Sequence, residues 1–136
     1  MQRARLVNAL DKERVRETFR ESAAPAPHVR RLLDRVDSAR PVRPVSVPPD
    51  LVTMNSIVRV IDTQTGESDT YALRYGATRP CEAHEATMVT IHDLLGSELL
   101  ARWVGESFEF EGRRGPVRLR VAGMDYQPER SGHLRL

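Results

Sequence analysis

Hydrophobic positions recur at helical spacing over residues 3–21. Leu6, Val7, Leu10, Val15 and Phe19 form an apolar stripe, while Arg14, Arg16, Glu17 and Arg20 fall on other faces. The pattern predicts an amphipathic helix. Ser22-Ala-Ala-Pro-Ala-Pro27 breaks it, because Pro25 and Pro27 lack amide donors and disfavour helix in the residue before each. A second stripe, Val29, Leu32, Leu33 and Val36, predicts a helix over residues 28–38. Neither helix is long enough to be stable alone in water, so the two are expected to pack as an antiparallel hairpin or against the rest of the chain.

Four prolines in residues 40–50 predict a stiff, extended connector, and the periodicity changes beyond it. Val52 to Ile61 is β-branched, Asp62-Thr-Gln-Thr-Gly66 supplies a turn, and Asp69 to Tyr75 and Ala86 to His92 read as further strands. Asp93 is placed to cap a short helix from Leu94 to Arg102 that carries Leu95, Leu99 and Leu100. Ser107 to Glu111 and Val117 to Tyr126 complete the sheet around a Gly112–Gly115 turn. The expected fold is α+β: a short helical hairpin over 1–39, a proline-rich linker over 40–50, and an antiparallel sheet domain with one short helix over 51–136.

Composition narrows the function classes. No apolar run approaches a membrane span, and Met1 to Lys12 lacks the continuous apolar stretch of a secretory signal. A lone cysteine, Cys81, rules out an internal disulfide and fits a reducing, cytoplasmic setting. Residues 1–50 carry 11 Lys/Arg against 7 Asp/Glu and residues 51–136 carry 10 against 12, so the halves have net charges of +4 and −2. That asymmetry is too small to carry duplex DNA binding by charge alone, and no strong sequence-specific nucleic-acid binding is expected.

Three stretches read together. Leu51-Val-Thr-Met-Asn-Ser56, Gly96-Ser-Glu-Leu-Leu-Ala-Arg-Trp-Val-Gly105 and Asp125-Tyr-Gln-Pro-Glu129 resemble, in order and separation, segments of the regulator of nucleoside diphosphate kinase (Rnk) family, which is related to the Gre transcript-cleavage factors. The resemblance covers residues 51–130 and extends more loosely to the helices. It implies an FKBP-like sheet domain, no cofactor, and docking on core RNA polymerase at the rim of the secondary channel, in competition with other channel-binding factors. By the same resemblance the polymerase-facing residues are Asp93 and Leu94, which stand where many relatives carry Ser-Pro, and Ser22, Ala24 and Pro25 at the hairpin tip. Ala101 stands where a glycine is usual, a change that a helix would accept.

Gre factors hold a magnesium ion with acidic residues at the tip of a long coiled coil. Hard cations need clustered oxygen ligands. Here the tip Ser22 to Pro27 has no acid and Glu21 is the nearest, so transcript cleavage is not expected and the chain is read as a non-enzyme. Cys81, His84 and His92 make only half of a zinc pattern and are read as loop and surface residues. Arg113-Arg114 is read as a solvated turn, Trp103 as a packing residue, and the Tyr126 ring as closing the core. An FKBP-like prolyl isomerase is the alternative function. It would need several aromatics lining one pocket, and Phe19, Tyr71, Tyr75, Trp103, Phe108, Phe110 and Tyr126 are few and scattered.

Overall fold

Two short strands frame the N-terminal helices. The computed structural model describes residues 3–76 and 86–133. Strand β1 (Leu6–Asn8) leads directly into α1 (Ala9–Thr18), and α2 (Pro27–Ser38) leads into β2 (Arg40–Val42), which pairs parallel with β1. The helix expected from residue 3 therefore begins at residue 9. The reason is tertiary: pairing with Arg40–Val42 satisfies the backbone of Leu6–Asn8, and Asn8 then caps α1 by accepting the Leu10 amide at 2.9 Å. The connector is likewise not simply extended, since β2 is followed by a 3₁₀ turn at Pro44–Ser46. Pro27 opens α2, where a missing amide costs nothing, and Val29, Leu32 and Val36 bury its apolar stripe.

Five strands form the main sheet: β3 (Ile57–Asp62), β4 (Ser68–Arg74), β5 (Thr87–Thr90), β6 (Ser107–Gly112) and β7 (Gly115–Tyr126), in the order β5-β4-β3-β7-β6. The β3–β4, β3–β7 and β6–β7 pairs are antiparallel as expected, but β4 and β5 run parallel, so the sheet is mixed. A parallel pair cannot be closed by a tight hairpin. The link from Arg74 to Thr87 passes through residues 77–85, outside the described residues, and the Cys81–His84 segment lies there too. The Asp62 turn forms as read, with Asp62 Oδ1 accepting the Gln64 amide at 2.8 Å and Gly66 at φ 79°.

The helix α3 (Leu94–Leu99) packs between α2 and the β4–β5 side of the sheet. It is shorter than expected. Leu100 is already extended, and Ala101 takes a left-handed conformation at φ 66° with no exposed surface. Ala101 is thus not a helical substitution for glycine; it occupies a position where glycine relieves a steric cost of roughly 1–2 kcal/mol. The hydrogen bonds from its amide to Val52 O (3.0 Å) and from Arg5 to its carbonyl (2.7 Å) hold it there. At Gly96 a Cβ would lie 1.8 Å from the Thr90 carbonyl oxygen, so this first turn of α3 sits against the end of β5 only because the residue is glycine.

One core crosses the expected linker. Val15, Phe19, Leu32 and Val36 of the hairpin share a hydrophobic cluster with Val52, Met54, Leu73, Ile91, Leu99 and Leu100.

Candidate functional site

The motif residues turn out to be ties between the N-terminal segment and the sheet. Gln127 is buried, and its Nε2 donates to the carbonyls of Pro48 and Leu51 at 2.7 Å each. Glu129 accepts Asn8 Nδ2 at 2.6 Å and Thr53 Oγ1 at 2.7 Å. Beside it, buried Asp11 accepts the Met54 amide at 3.0 Å and the Tyr75 hydroxyl at 3.2 Å. Burial pushes the Asp11 carboxyl up to about 7; the Met54 amide opposes this and the charge of Glu129 adds to it. The sequence motifs flagged Thr53, Gln127 and Glu129 by resemblance, but nothing in the pattern pointed to Asn8 and Asp11 as their partners.

A second tie is built from arginines. Glu98 of α3 is fully buried and accepts Arg31 Nε and Nη2 at 3.1 Å each and Arg102 Nη2 at 2.9 Å. Arg102 also donates to Glu106 at 2.6 Å, and Arg5 grips both Glu106 oxygens at 2.7 and 3.0 Å. Burial alone would raise the Glu106 carboxyl, but the bonds from Arg5, Arg102 and the Trp103 amide outweigh it and hold the group down at about 2. Arg35 of α2 donates to the carbonyls of Leu100 (3.0 Å) and Ser97, satisfying orphan acceptors at the C-terminal end of α3.

These ties bring the two expected polymerase-facing patches together. The Phe19 ring meets the His92 ring edge-on at 5.0 Å, and His28 Nε2 lies 2.8 Å from the His92 carbonyl oxygen. Phe19 precedes the hairpin tip, His28 follows it, and His92 adjoins Asp93. Ser22 and Ala24 are exposed and Pro25 is half-buried. Asp93 is exposed, but its carboxylate accepts the Thr90 amide at 2.8 Å and makes no bond to an amide of α3. The expected side-chain cap is therefore absent: the carboxylate fixes the turn leaving β5, and only the Asp93 backbone oxygen bonds into α3, at the Ser97 amide. Leu94 is half-buried against the core, so it presents only part of its surface.

Other flagged residues sort differently. Trp103 is buried, donates to the Ala4 carbonyl at 3.2 Å and carries the Arg3 guanidinium 3.5 Å above its ring. Tyr126 does not close the core; it is half-exposed and its hydroxyl meets His133 Nδ1 at 2.6 Å. Aromatic pairs lie apart, with Phe108 and Phe110 stacked on one another and Trp103 beneath Arg3. Among the described residues, none of the helices is long and apolar enough to cross a membrane.

Known proteins with this sequence and arrangement can now be placed beside it. No family model matches the chain. The regulator of nucleoside diphosphate kinase of Escherichia coli (strain K12) is 32% identical over 129 residues, covering 93% of each protein, and the protein of that name from Shigella flexneri matches equally. Identity at that level over nearly the whole chain decides the relationship. The chain belongs to the regulator of nucleoside diphosphate kinase family. Its fold matches the prokaryotic transcription elongation factor GreA/GreB from Nitrosomonas europaea with a TM-score of 0.72 and 25% identity, over 92% of this chain and 100% of that one. Similarity to the transcription factor Gfh1, at 14% identity and a TM-score of 0.50 over 93% of this chain and all of that one, extends to the fold alone. The family and its Gre-like neighbour place the chain in a Gre-like transcription factor family, with an α+β fold.

Proposed function

We propose that this protein binds core RNA polymerase at the rim of the secondary channel and regulates transcription without stimulating transcript cleavage. Family membership and the Gre-like fold support polymerase as the partner, and the sheet domain, read as FKBP-like, supplies the docking surface. The observation that carries the absence of cleavage is the hairpin tip. Helices of 10 and 12 residues span about 15 and 18 Å at the usual helical rise, and the connection between them, residues 19–26, carries a single carboxylate, Glu21, where a metal ion needs a cluster. The hairpin also lies against the turn before α3 through Phe19 and His28, which meet His92, and against α3 itself through Arg31, which meets Glu98. On this reading the protein is a cytoplasmic, non-enzymatic competitor of other channel-binding factors, with Asp93, Leu94 and the tip residues facing polymerase and residues 1–39, 40–50 and 51–136 as its three working parts.

Backtracked polymerase complexes incubated with the protein test the reading. Binding in a pull-down with no release of short RNA above the control is the expected result, and robust cleavage would overturn it. Leu94→Arg should weaken polymerase binding while the melting temperature changes little, because the side chain is only half-buried.

A further inference from the structure

An apolar cleft of about 220 Å³ opens on the sheet, away from both ties. Half-buried Tyr71, Leu95, Val117 and Leu119 line it and keep apolar surface in contact with water. Its rim is the β3–β4 hairpin, which brings Asp62, Glu67 and Asp69 to the same opening. Asp62 is engaged by the Gln64 and Thr65 amides, and Asp69 lies beside the Tyr71 hydroxyl, whose pKa is raised by burial and by that carboxylate. Among the described residues no arginine, lysine or histidine forms an ion pair with any of the three. Like charges gathered on one hairpin repel, and an incoming cation relieves that repulsion.

We propose that this acid-rimmed cleft docks a basic, apolar segment of the protein partner, placing an aliphatic or aromatic side chain on the floor and an arginine or lysine against the rim. The partner's identity as polymerase rests on the reading above, whereas the chemistry of the bound segment comes from the cleft. Each competing ligand class fails on one feature. Nucleic acid would bring phosphates to three carboxylates. A cofactor-sized molecule needs a pocket of roughly 300–1,000 Å³, larger than this cleft. A purely apolar segment would cover the rim and leave the carboxylates without a counter-charge. Leu95 joins the cleft to the Asp93–Leu94 loop, so one segment can lie across both.

The full chain should be tested against two probes: core RNA polymerase, and a fluorescent peptide of alternating arginine and leucine with its glutamate-for-arginine counterpart as control. Wild type is expected to bind the basic peptide at least about tenfold more tightly than the acidic one, with affinity falling as salt rises. Glu67→Lys/Asp69→Lys should lose about tenfold or more towards both peptide and polymerase, and Glu67→Gln/Asp69→Asn, which tests charge with little risk to folding, an intermediate amount. If wild type does not distinguish the peptides, or if the neutralised and reversed variants bind as wild type does, the cleft is not the docking site, whatever polymerase does. If the peptide binds in a charge-dependent way and polymerase does not bind at all, the cleft stands and the polymerase reading fails.

Discussion

The two ties that hold the N-terminal segment to the sheet solve one problem by opposite chemistry. Around buried Asp11 and half-buried Glu129, carboxylates lie near each other and are satisfied by an amide, hydroxyls and the Asn8 side chain. Around Glu98 and Glu106, every carboxylate oxygen has an arginine donor. The first arrangement favours a protonated Asp11 and the second an ionised Glu106. A single protein thereby carries two attachments with opposite responses to pH, set by what surrounds each acid rather than by the acids themselves.

Removing Glu98 should have the largest effect. Glu98→Ala leaves buried Arg102 with Glu106 alone as its counter-charge and takes away the anchor of Arg31, so a loss of about 3–5 kcal/mol is expected in chemical denaturation. A loss below about 1 kcal/mol would show that the arginine lattice is solvated in practice. Glu129→Ala should cost less, about 1–3 kcal/mol, because it strands a neutral group, Asn8 Nδ2, rather than a charge, while Thr53 Oγ1 keeps its bond to the Ser56 hydroxyl. If it proves the costlier of the two, the ranking of the ties is inverted.

The smallest change at mildly acidic pH belongs to Asp11→Asn, within about 1 kcal/mol of wild type, since the amide can still serve the Met54 amide and the Tyr75 hydroxyl. Its signature is in the pH profile. Asp11 has a raised pKa, so its stabilising contribution is fully present below 3.8 and is lost as pH rises through about 7. Glu106 has a lowered pKa, so its contribution is present above 4.5 and is lost as pH falls through about 2. Melting temperature measured against pH should fall between about pH 4 and 7 in wild type and flatten there in Asp11→Asn, with the limb below about pH 4 unchanged. An unaltered slope between about pH 4 and 7 would mean that some other group titrates.

Much of the fold was legible because local pattern and tertiary structure agree. The stripe of α2, the Asp62–Gly66 turn, the β-branched run of β3 and the strand alternation of β6 and β7 all agree with the observed elements. Where the pattern misled, a distant partner had overruled it. Leu6 and Val7 fit a helical stripe as well as a strand, and only their pairing with Arg40–Val42 selects the strand. Asp93 has the right chemistry for a cap, but the Thr90 amide competes for the same carboxylate. Ala101 reads as helical because propensity is blind to the left-handed conformation that the end of α3 requires. For the candidate site, the family motifs included Thr53, Gln127 and Glu129 without revealing that they are braces. Buried polar pairs such as Asn8–Glu129 leave no periodic trace, and the cleft acids look in sequence like an ordinary turn.

The Asn8–Glu129 hydrogen bond closes a separation of 121 residues. During synthesis the hairpin segment leaves the ribosome first, yet it has no access to this tie until Glu129 emerges, nor to the Arg5–Glu106 pair until Glu106 does. The first-made segment is the last to be secured. Contacts of such long range slow the search for the native state, and an amphipathic stripe waits exposed in the meantime. A chain interrupted between residues 126 and 129 would carry all five strands and the arginine lattice but not the Glu129 brace, a half-fastened form whose hairpin is open to proteases and chaperones.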